Sequence, residues 1–109
     1  MNILDKIIAH KRKEVAKLKS EISLKSLIES PAFKRDSISL RASLLHKNSS
    51  GIIAEYKRQS PSKGIINNNA TIEDVTTGYL EAKVAAQSIL TDFHFFGGTI
   101  VDLMQARTI

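Results

Sequence analysis

The sequence contains no cysteine. This excludes a disulfide framework and a cysteine-ligated metal, and it suits a reducing cytoplasm. No apolar run approaches the roughly 20 residues that span a bilayer. The N-terminus interleaves charge with its apolar residues, so it lacks the unbroken core of a signal peptide. No Walker loop, dinucleotide fingerprint or nucleophile elbow is present, and no His, Asp or Glu cluster has metal-ligand spacing. Nucleotide-dependent, serine-hydrolase and metalloenzyme chemistries therefore have no sequence support.

What remains is a chain of 109 residues, 42% hydrophobic, with net charge +5. That is enough apolar material for one small globular domain. The positive excess is local. Lys6, Lys11, Arg12, Lys13, Lys17 and Lys19 face only Asp5 and Glu14 in the first twenty residues. A basic helix of this kind is a solvated face or a surface for an anionic partner. The solvated reading is adopted, with neither nucleic acid nor membrane as partner.

Periodicity divides the chain. Ile3, Leu4, Ile7, Ile8, Val15 and Leu18 recur at helical steps and predict a helix over 3–19, with Asn2 as N-cap and Asp5 reaching back. A second helix starts at Ser23 and stops before Pro31, since proline donates no N–H and disfavours helix just before it. A third lies near 39–46, and the Asn-Ser-Ser-Gly stretch at 48–51 reads as a loop.

At Ile52 the pattern becomes that of a buried strand, Ile-Ile-Ala-Glu-Tyr, followed by a polar loop from Lys57 to Ala70. Thr71 and Asp74 start a helix with Ile72, Val75, Tyr79 and Ala82 on its inner face. Residues 86–91 predict a second strand, Gly97-Gly98 closes its loop, and Thr99 with Asp102 opens a last helix to about Arg107. The strands begin about one βαβ unit apart, which predicts a parallel pair. Two parallel strands leave both edges open, so a larger α/β protein is expected, of which this chain is a part.

The chemistry gathers where the first strand ends. Glu55 and Lys57 alternate onto one face, and Tyr56 onto the other. The pair admits two readings: a structural ion pair on an exposed strand, or an acid–base pair aimed at an anionic ligand from the C-terminal end of a strand. Ser60-Pro61-Ser62 is either a simple turn or part of the same loop site. Phe93, Phe95 and Phe96 read as core rather than as a ligand platform, although three aromatics in four residues of a Gly-ended loop is dense for packing alone. His46 and His94 read as surface or packing residues.

Residues 52–64, Ile-Ile-Ala-Glu-Tyr-Lys-Arg-Gln-Ser-Pro-Ser-Lys-Gly, resemble strand one and its loop in the indole-3-glycerol phosphate synthase family. Ser-Ile-Leu-Thr-Asp at 88–92 and Phe-Phe-Gly-Gly at 95–98 resemble strand two and its loop. The lead-in Ile3-Leu4 through Lys11-Arg12-Lys13-Glu14-Val15 looks like the family's extra N-terminal helix. The resemblance implies the N-terminal part of a (β/α)8 TIM barrel: a helical extension over 1–50, then the first two βα units over 51–109. It implies a carbon-carbon lyase of tryptophan biosynthesis. The enzyme closes 1-(o-carboxyphenylamino)-1-deoxyribulose 5-phosphate to indole-3-glycerol phosphate, losing carbon dioxide and water, in the cytoplasm and without metal or organic cofactor.

By the same resemblance Lys57 is the strand-one lysine that engages the anionic substrate, and Glu55 is the carboxylate beside it. Ser60 and Pro61 line the pocket, and Phe96 packs near the substrate ring. The family's strand-three lysine and its phosphate-binding loops are expected beyond Ile109, so the 109 residues are expected to be inactive alone. The full-length protein is expected to be a monomer. The alternative is a noncatalytic barrel fragment that folds by self-association or by complementation. Two departures stand out. Lys83-Val84-Ala85 replaces the family's Ala-Gly-Ala, which puts a left-handed cap in doubt, and Gln87 stands where an apolar strand residue is usual.

Overall fold

A computed structural model describes all 109 residues, in two compact units, Met1–Ile38 and Ser39–Ile109. The first unit is helical. Helix α1 (Ile3–Glu21) opens on a capping box: the Asp5 amide donates to Asn2 Oδ1 at 2.9 Å, and the Asn2 amide donates to Asp5 Oδ2 at 3.2 Å. Lys11 and His10 pair with Glu14 at 3.1 and 3.4 Å. No residue of α1 is buried, and Leu4, Val15 and Leu18 all stand exposed. Helix α2 (Leu24–Glu29) is capped by Ser23 and ends before Pro31, which then opens a 3₁₀ turn over Pro31–Lys34.

The second unit is mixed α/β. Helix α3 (Leu40–Leu45) leads into strand β1 (Ile53–Tyr56). Strands β2 (Gln59–Ser60) and β3 (Gly64–Ile65) follow, then helix α4 (Ile72–Glu81), strand β4 (Ala86–Ile89) and helix α5 (Ile100–Arg107). Strands β1 and β4 pair in parallel, with Ile53 opposite Ala86 and Glu55 opposite Ser88. The crossover between them is α4, which packs on β1 and on α5. The core sits between sheet and helix: Tyr56 and Ile72 are 5% and 3% exposed, and Thr76 joins them.

Three local features differ from the sequence-based expectation. The segment after β1 is not wholly loop. Strands β2 and β3 pair antiparallel, Gln59 with Ile65 and Ser60 with Gly64, across a tight turn. Gly64 sits at φ 63°, where a side chain would be strained, and this lets the chain reverse. Ala82 is not on the inner face of α4, because the helix ends at Glu81 and Ala82 is its exposed C-cap; Thr76 takes the inner position. Lys83 itself supplies the left-handed residue after α4, at φ 62°. Its N–H donates to the Leu80 carbonyl at 3.0 Å, and its carbonyl accepts from Ser50 at 2.8 Å. Lysine therefore fills a left-handed position that glycine adopts without penalty, at a strain of about 1 kcal/mol.

Candidate functional site

The site is built at the C-terminal end of β1. Alternation sends Tyr56 into the helix layer, where its hydroxyl donates to the Ala70 carbonyl at 3.1 Å. From α4, Tyr79 donates its hydroxyl to the Glu55 carbonyl, also at 3.1 Å. The two tyrosines fix the strand's roll. Alternation puts Glu55 and Lys57 on the other face of the strand from Tyr56. Lys57 Nζ lies 3.4 Å from Glu55 Oε1, with the side chains 38% and 44% exposed. An ion pair this open contributes at most about 1 kcal/mol to stability. Both charges remain available to a ligand.

Arg58 turns the other way. Its guanidinium lies 5.1 Å from the centre of the Tyr56 ring, donates from Nη1 to the Gly97 carbonyl at 3.2 Å, and grips Asp102 with both Nη atoms, Nη2 to Oδ1 at 2.9 Å. Asp102 is 7% exposed and also caps α5, accepting from the Thr99 amide at 3.1 Å. The hydrogen bond from Arg58 holds the Asp102 carboxyl below the usual carboxylate range. Burial opposes this and the Thr99 amide adds to it. The same hydrogen bond raises Arg58 above its ordinary value.

The loop after β4 is tied from within as well. Asp92 Oδ2 accepts from the Phe95 and Phe96 amides at 2.7 and 3.3 Å, and the Gly98 amide donates to the Asp92 carbonyl at 2.8 Å. Gly98 lies flat over β4: a Cβ there would fall 1.8 Å from the Leu90 carbonyl oxygen. His94 stacks edge-on against Phe95 with ring centres 4.7 Å apart.

Of the residues singled out from sequence, Glu55 and Lys57 come together. They share a 170 Å³ cleft with Asn67, Ala70 and Tyr79, and none of Ser60, Pro61 and Phe96 lines it. Ser60 is engaged in its own turn, its hydroxyl accepting from the Lys63 amide at 3.2 Å and lying 3.3 Å from Ser62 Oγ. Pro61 is exposed at the hairpin tip. Phe96 is half-buried in the β4 loop, next to the Gly97 carbonyl that Arg58 holds. Sequence reasoning missed Arg58 and Asp102 as partners. A signal existed, because the basic residue follows the first strand and the capping acid opens the helix after the second. The 44-residue separation hid the pairing.

Fold and site together define a parallel α/β protein with a paired acid and base at a strand end, beside a loop rich in aromatics. The profile of the indole-3-glycerol phosphate synthase family matches residues 4–109. Curated indole-3-glycerol phosphate synthases align along nearly the whole chain. That of Bacteroides thetaiotaomicron is 45% identical over 99% of this chain and 41% of the relative. Those of a Polaromonas species and of Albidiferax ferrireducens are 38% and 36% identical, each over 97% of this chain and 41% of the relative. The chain belongs to the indole-3-glycerol phosphate synthase family, and it spans about two fifths of the length of these relatives. No helix in it is long and apolar enough to cross a membrane.

Proposed function

We propose that this chain supplies one wall of the active site of a cytoplasmic indole-3-glycerol phosphate synthase. In this reading residues 1–50 are the helical extension and residues 51–109 are the first two βα units of a (β/α)8 barrel. The substrate is 1-(o-carboxyphenylamino)-1-deoxyribulose 5-phosphate, and no cofactor takes part. Its aryl carbon attacks the ketone carbon, and ring closure expels the carboxyl group as carbon dioxide and the carbonyl oxygen as water. Negative charge grows on that oxygen during the attack, which a nearby cation stabilises.

The observation that carries the reading is the Glu55–Lys57 pair, 3.4 Å apart and open at the end of β1. Lys57 Nζ engages the substrate's anionic groups, and Glu55 holds it in place. Ser60 and Pro61 border the pocket from the hairpin, and Phe96 gives an apolar surface for the aryl ring, where loss of carbon dioxide is favoured.

Equilibrium binding followed by fluorescence of the substrate's anthranilate ring tests the reading. The 109-residue chain should bind the substrate, and Lys57→Ala should weaken binding at least tenfold, about the worth of one charge-assisted hydrogen bond. Equal binding by the variant would overturn the role of Lys57. Release of carbon dioxide by the isolated chain would contradict its being only one wall.

A second reading, a noncatalytic piece that folds by association, is favoured by one fact. Only Tyr56 and Ile72 are buried among the large apolar side chains. It predicts helix content by circular dichroism that rises with protein concentration, and equal content at every dilution would argue against it.

A further inference from the structure

We infer that Ser88 is a third substrate-contacting residue on the Glu55–Lys57 face. The inference rests on the reading above. Ser88 lies directly opposite Glu55 in the parallel register. Partners in adjacent strands project to the same face, with strands about 4.8 Å apart. The Ser88 side chain therefore stands beside Glu55, on the face from which Lys57 also projects, while Gln87 and Ile89 point into the helix layer with Leu103 and Ala106.

Ser88 differs in its bonding from the other half-buried serines, Ser30, Ser43, Ser49 and Ser60, each of which has a hydrogen-bonded hydroxyl. Its hydroxyl makes no hydrogen bond within the protein, whereas Ser60 is engaged in its turn and Ser23, Ser39, Ser49 and Ser50 accept from nearby backbone amides. It is also the only hydroxyl-bearing residue of β4, directly opposite the carboxylate-bearing position of β1. A serine that serves only to fill space gains nothing over alanine, because its hydroxyl must be solvated or left unpaired. Here the hydroxyl faces the open side of the sheet, where a ligand held by Lys57 lies within reach. Serine can donate to a substrate oxygen and accept from a substrate N–H or O–H. Glu55 and Lys57 answer each other's charge, so Ser88 adds a neutral hydrogen-bonding group whose usefulness does not depend on the ligand's charge.

The test is the substrate titration of the 109-residue chain, read by anthranilate fluorescence and by amide chemical shifts. Ser88→Ala should weaken binding about fivefold, the worth of one neutral hydrogen bond. Ser88→Thr, which keeps the hydroxyl, should recover most of that loss. The Ser88 amide should shift with the same dissociation constant as the Lys57 amide. If Lys57 responds while Ser88 does not, and Ser88→Ala binds as tightly as the unaltered chain, the inference fails and the Lys57 reading stands. If the substrate moves neither resonance, the proposed function itself fails. Matching circular dichroism spectra for the variants separate lost contact from lost fold.

Discussion

The two loops that leave the parallel strands are held differently. Beyond Arg58, the segment after β1 is held by its own bonds: a two-rung hairpin, the Ser60 hydroxyl on the Lys63 amide, and the Asn67 side-chain Oδ1 on the Asn69 and Ala70 amides at 2.8 and 3.0 Å. The loop after β4 is tied from within as well, by Asp92 on the Phe95 and Phe96 amides, and in addition by a distant partner. Gly98 lies against Leu90, and Arg58 reaches across to Gly97 and Asp102. Local bonds make a unit that rearranges without disturbing the rest. Long-range bonds make a unit that stands or falls with the fold. In the proposed reading, the site joins a locally bonded hairpin, carrying Ser60 and Pro61, to a shelf carrying Phe96, with Glu55 and Lys57 at the strand end between them.

Substitutions can break this contrast in graded steps. Gly98→Ala should act most strongly, because its Cβ would fall 1.8 Å from the Leu90 carbonyl oxygen and the backbone must move. A loss of about 3 kcal/mol is expected in urea unfolding. Asp102→Asn should follow, at about 2 kcal/mol, since it leaves Arg58 without its carboxylate and weakens the α5 cap. That loss should depend on pH. The Asp102 carboxyl is depressed in the folded chain, so its contribution is present above the unfolded value near 3.9 and disappears as pH falls through the lower folded value. The gap between the two proteins should accordingly be wide at pH 6 and close progressively below about pH 4.

The β1 loop should respond less. Asn67→Ala removes two backbone caps and should cost about 1 kcal/mol, with hydrogen exchange quickening in residues 59–70 only. Exchange that quickened equally around Phe96 would erase the proposed independence. Lys83→Gly lies outside both loops and should stabilise by about 0.5 kcal/mol, relieving the left-handed lysine at φ 62°.

Much of this was legible in the chain. The five α-helices, the two parallel strands and the threonine caps follow from apolar period and capping residues, and alternation alone put Glu55 and Lys57 on one face and Tyr56 on the other. What escaped was set by contacts between distant residues. The Arg58–Asp102 pair spans 44 positions, and Asp102 had already been explained as a helix cap. The hairpin inside residues 57–70 has only two residues per strand, too few to show alternation. Lys83 shows that a turn fixed by its hydrogen bonds, from Ser50 on one side and to Leu80 on the other, imposes its conformation on a residue that does not favour it.

The central claim is that the end of β1 and the shelf after β4 form one binding surface. Amide chemical shifts measured while the phosphorylated substrate is titrated into the 109-residue chain test it most directly. The account predicts that Lys57 and Phe96 shift together with a single dissociation constant, and that Lys57→Ala abolishes both responses. A response confined to one of the two, or a Phe96 shift that survives Lys57→Ala unchanged, would contradict it.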